Sequence, residues 1–176
     1  MKRTSRILRR ILAVLTAVTA LIYPGFMALM SAAGWSYNVR QGNYPAVFST
    51  LAGWMYAGAV LLLLGTLAGL LGMAAKRQVC NLPALCGAVL GAACCMVALY
   101  RFCGYADAHF SGIGESMQPV SELYRDRLLP ILLPAFLLLV LAVWNLVNDD
   151  AREWRITRRR QREEAENREA PKILGE

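Results

Sequence analysis

Four stretches of this chain carry no Lys, Arg, Asp or Glu: Ile11–Val39, Gln41–Ala75, Gln78–Tyr100 and Leu128–Asn148. Such runs constrain folding more than any short motif, because roughly 20 apolar residues in a helix suffice to cross the hydrocarbon core of a bilayer. Leu and Ala are frequent in them, without the strict alternation that the strands of a membrane barrel need. Helices also satisfy their own backbone polar groups, which lipid cannot do. At 176 residues and 57% hydrophobic, the chain is too apolar for an ordinary water-soluble domain.

The expected fold is all-α, a polytopic membrane protein with a four-helix transmembrane bundle over residues 1–148. Spans are expected at Ile11–Met30, Val47–Ala75, Leu82–Tyr100 and Leu129–Val147, with outer loops at 31–46 and 101–128. A charged helical tail follows over 149–176. The second span exceeds the core thickness, so it should tilt or project. Tyr23-Pro24-Gly25 should kink the first helix. The loop "AAGWSYNVRQGNYP" reads as a turn-like connection, and "QPVSELYRDRLLP" as a short amphipathic helix on the membrane surface. Pro83 falls in a first turn behind Asn81, a suitable N-cap.

The location of the charges sets the topology. Lys2, Arg3, Arg6, Arg9 and Arg10 precede the first span, Lys76 and Arg77 lie between the second and third, and eight basic residues follow the fourth. A four-span chain puts these fifteen on one side, against Arg40, Arg101, Arg125 and Arg127 on the other. The positive-inside rule then places both termini in the cytoplasm, with the cell membrane as the expected location. The basic start and Ser31-Ala32-Ala33 could mimic a cleaved secretory signal. The apolar stretch is longer than a signal core, so an uncleaved anchor is expected.

The tail patch Arg152, Arg155, Arg158, Arg159, Arg160 and Arg162 reads as a surface resting on anionic lipid headgroups, each basic residue adding about 1 kcal/mol there. A docking helix for a partner is the alternative. Glu163, Glu164, Glu166 and Glu169 follow directly, which argues against nucleic acid.

Cys80, Cys86, Cys94, Cys95 and Cys103 concentrate around the third span. At about 100° per residue they spread around the whole circumference, and Cys86, Cys94 and Cys103 are about 12 Å or more apart along the axis. Disulfides need far closer sulfurs, and the chain has no C-x-x-C. The cysteines are expected to act as small apolar packing residues. Cys103, Asp107, His109 and Glu115 do not form a recognised ligand spacing, so neither metal nor cofactor is expected.

Two G-x-x-x-G motifs carry more physical content: Gly65–Gly69 in the second span and Gly87–Gly91 in the third. Small residues let helix backbones approach where lipid offers no hydrophobic drive for association. With a hairpin turn near Lys76–Asn81, Gly69 and Gly87 should face one another, in a seam of Gly65, Gly69, Gly72, Gly87 and Gly91. Homodimerisation is the competing use.

No Lys, Arg, Asp, Glu or His lies within the spans, where proton relays and ion paths usually place one. His109 is the sole histidine, and no nucleophile–base pairing is evident. The expected function is therefore that of a non-enzymatic accessory or scaffold component, acting through helix–helix or partner contacts. A small transporter or channel subunit working as an oligomer comes second, and a thiol-based redox protein third.

Overall fold

The computed structural model describes residues 2–75, 80–109, 129–147 and 149–169. Every regular element among them is helical. The first is a long rod in three parts: α1, Lys2–Ile22; a π-helical turn, Tyr23–Ala28; and α2, Leu29–Arg40. Pro24 lacks the N–H that would bond the Ala20 carbonyl in an α-helix. The ladder widens instead of breaking, as π-helical turns allow. Gly25 gives this room, since a Cβ there would sit 3.2 Å from the Ala20 carbonyl oxygen. The expected kink thus takes the form of a π-helical turn.

The rod also corrects the expected outer loop at 31–46. Helix continues to Arg40, and only residues 41–46 connect it to the next element. Packing overrides composition here. Trp35 is buried and stacks on Phe102, with centroids 4.6 Å apart and an interplanar angle of 13°. The polar side chains stay compatible with helix by bonding back to it. Ser31 Oγ donates to the Met27 carbonyl at 2.8 Å, and Asn38 Nδ2 to the Gly34 carbonyl at 2.9 Å. The rod ends in a Schellman motif. Gly42 has φ +75°, its N–H bonds the Val39 carbonyl, and the Asn43 N–H bonds the Asn38 carbonyl at 2.9 Å.

Three further elements complete the bundle: α3, Val47–Ala75; α4, Asn81–His109; and α5, Leu132–Val147, preceded by a 3-10 turn at Leu129–Ile131. The first of these matches the expected span. Helix α4 runs on past Tyr100 to His109, because Arg101 is no helix breaker. The 3-10 turn takes up Pro130 and leaves Pro134 in the first turn of α5, where no helical hydrogen bond is lost. Helices α3 and α4 pack along one another, α5 lies on α4, α1 on α5, and α2 on α3, which closes the bundle. The last element, α6, Asp149–Glu169, follows α5. The expected surface helix over "QPVSELYRDRLLP" falls almost wholly outside the described residues.

Small side chains are frequent in the interior. Among the described residues, twelve of the 23 buried hydrophobics are alanines, whereas Val14, Leu21, Phe26, Leu64, Leu82 and Phe136 are exposed. Water would penalise so much exposed apolar surface. Helices packed in lipid show this arrangement, with small residues at the contacts and large ones facing the chains. Three helices, spanning Arg6–Arg40, Val47–Ala74 and Asn81–Ala106, are long and apolar enough to cross a membrane.

One end of the bundle is aromatic. Phe48 meets Phe102 and Tyr105 edge-on at 5.5 and 4.9 Å, beneath the Trp35–Phe102 stack. Phe102→Ala should cost about 3–5 kcal/mol, read as a lower melting temperature in detergent. Phe26→Ala, at an outward-facing position, should leave the melting temperature within a degree or two.

Candidate functional sites

The closest helix approach lies between α3 and α4. A Cβ on Gly87 would sit 2.7 Å from both Gly65 Cα and the Leu61 carbonyl oxygen, so no residue with a side chain fits there unless the backbones part. A Cβ on Gly91 would stand 3.0 Å from the Gly58 carbonyl oxygen, and one on Gly58 would stand 2.6 Å from Cys95 Sγ. Gly65, Gly87 and Gly91 therefore share one contact line.

The other two glycines of the expected seam take different neighbours. Gly69 does not face Gly87: a Cβ there would sit 3.5 Å from Ala84 Cβ and 3.0 Å from Leu138 Cδ1 of α5. Gly72 abuts the start of α4, where a Cβ would sit 2.6 Å from Asn81 Oδ1. Because α4 begins beside Gly72, every pairing is displaced by about one turn from the expected register. Gly58 joins the line on α3. Its signal was present in the sequence, since it precedes Gly65 by two helical turns and so shares its face.

At the opposite end from the aromatic cluster, three helices meet at a polar contact. Asn145 of α5 points Nδ2 at the Gly69 carbonyl of α3 and at Asn81 Oδ1 of α4, each at 3.5 Å. Both asparagines are buried, at 2% exposure for Asn81 and 5% for Asn145. Asn145 Oδ1 has no hydrogen-bond partner among the described residues, a costly state for a buried carbonyl. Sequence reasoning gave Asn81 a capping role and left Asn145 within an apolar span. The usable signal was two asparagines inside charge-free runs at matching depth from the same end.

The other buried polar side chains are spent locally. Thr16 and Thr66 donate to the Leu12 and Leu62 carbonyls of their own helices, at 2.7 and 2.8 Å. The cysteines face different ways: Cys95 is buried, Cys86 exposed, and Cys80, Cys94 and Cys103 intermediate. No group of three or more His, Cys, Asp and Glu side chains among the described residues is placed to hold a metal. Glu115 lies outside those residues.

The basic patch sits on α6. Every side chain described there, from Trp154 to Glu164, is exposed. Five of the six patch arginines are among them; the Arg152 side chain is outside the described set. The Arg158 guanidinium stacks 4.8 Å above the Trp154 ring, one turn earlier, a cation–π contact that supports the helix.

Among the described residues every regular element is helical, and three helices are long and apolar enough to cross a membrane. The chain matches no protein-family model, no curated protein and no solved structure.

Two measurements probe the packing. Gly87→Ala should destabilise by about 1–3 kcal/mol through forced separation of α3 and α4. Gly53→Ala, where a Cβ meets nothing within 4 Å, should be neutral or slightly stabilising. For the polar contact, a double-mutant cycle of Asn81→Ala and Asn145→Ala should show a coupling of about 0.5–2 kcal/mol. Strict additivity would mean that the two amides do not interact.

Proposed function

We propose that the chain is a four-span protein of the cell membrane with both termini in the cytoplasm. In this reading it acts without catalysis, as an accessory or scaffold component whose output is contact with a partner. For the fourth crossing, the 3-10 turn and α5 together extend about 30 Å at their usual rises per residue, which suits the hydrocarbon thickness. For the orientation, fifteen basic residues against four favour the side that carries the termini.

The observation that carries the functional reading is α6. A helix as polar in sequence as this one gains little from folding in isolation, and one use of such helices is to bridge to another body. Its basic half, Arg152 to Arg162, adjoins the membrane and suits anionic headgroups. Glu163, Glu164, Glu166 and Glu169 stand farther out, where a partner can reach them. The G-x-x-x-G faces are used within the chain, which favours a packing role for them over homodimerisation.

A second reading, a transporter or channel subunit acting as a homo-oligomer, draws on one observation. Asn145 Oδ1, without a hydrogen-bond partner among the described residues, is a polar group buried between helices, and such groups often mark solute paths.

Purification of the tagged full-length protein from its native membranes distinguishes the two. A stoichiometric partner should co-purify, and Glu163→Lys with Glu164→Lys should reduce its yield severalfold. Solute flux through liposomes holding the purified protein alone, abolished by Asn145→Ala, would contradict the scaffold reading.

A further inference from the structure

The helix pair that is clamped at its glycines carries an open groove towards the aromatic end. From Gly72–Asn81 to Gly58–Cys95 the backbones of α3 and α4 are close. Beyond Cys95, Leu51 and Trp54 on α3 and Val97 and Tyr100 on α4 line a surface groove of about 910 Å³. Gly104 lines it with open space where its Cβ would be.

Arg101 is the only Lys, Arg, Asp or Glu among the described residues that line the groove, and it is exposed. It lies twenty residues along α4 from Asn81, about 30 Å of helix, which is one hydrocarbon thickness. If Asn81 marks one boundary of the core, the guanidinium stands at headgroup level on the other. Val97 lies one turn deeper, and Trp54 and Tyr100 present the amphipathic rings that favour this depth. An apolar wall, aromatic flanks and one cation at the polar boundary together match an amphiphile with an anionic head.

We propose that this groove lined by α3 and α4 binds a bilayer phospholipid of net negative headgroup, with that headgroup, uncompensated by any cation of its own, at Arg101 and its glycerol and proximal acyl carbons against Trp54 and Val97. The charge complementarity is specific to this end. It is separate from the tail arginines on α6, which follow the other end of the bundle. The proposal rests on the membrane reading of the fold and not on the scaffold role.

Photo-cross-linking tests it. Full-length protein carrying benzoylphenylalanine in place of Tyr100, which is 79% exposed, is reconstituted in vesicles of equal phosphatidylglycerol and phosphatidylcholine. Intact mass should report a phosphatidylglycerol adduct at least fivefold more abundant than the phosphatidylcholine adduct. Arg101→Gln should reduce that preference to less than twofold, and Gly104→Trp should reduce both adducts severalfold by filling the groove. Both sites are exposed, and an unchanged melting temperature confirms that the variants fold. The tail patch is identical in all samples and cancels. Equal adducts of the two lipids, a preference that survives Arg101→Gln, or a cross-link to residues 110–128 of the same chain would each overturn the proposal.

Discussion

At the level where Gly87 meets Gly65, the backbones of α3 and α4 are in direct contact, and the rest of the bundle is arranged around that approach. In water such a pair would be held by apolar burial. Among lipid chains that drive is absent, so association depends on dispersion contacts and on interhelical hydrogen bonds. Both need close backbones. That requirement explains the alanines and glycines along the helix contacts, beside larger buried residues such as Phe48, Leu62 and Leu138.

The clamp also explains why the two ends differ. Towards Asn81 the helices stay close enough for Asn145 to reach two of them at once, and its amide links α3, α4 and α5. Towards Arg101 larger side chains of both helices line a surface groove. The Trp35–Phe102–Phe48 cluster packs at the same end, and Tyr105, which meets Phe48, also lines the groove. The aromatic cluster does for this end what the glycines do for the middle, through area rather than proximity.

The helical content and three of the apolar spans were legible from the absence of charge alone, because that signal accumulates over many residues. The register of the glycine pairing was not. It depends on where α4 starts relative to α3, and a shift of about one turn exchanges Gly69 for Gly65 as the partner of Gly87. The extension of the first rod to Arg40 was hidden for a different reason. Gly34, Ser36 and Asn38 read as loop residues, and only the burial of Trp35 against Phe102, more than sixty positions away, keeps them helical. The Asn81–Asn145 contact was obscured likewise, since each residue alone had an adequate local explanation.

The central claim is that lipid, and not water, surrounds the outward-facing side chains of this bundle. Spin labels at Leu64 and Phe136, in protein reconstituted into lipid nanodiscs, measure that directly through collisions with dissolved oxygen and with a water-soluble nickel chelate. Oxygen should relax both labels strongly and nickel weakly, while a label at Arg159 shows the reverse. Nickel access at Leu64 equal to that at Arg159 would contradict the account.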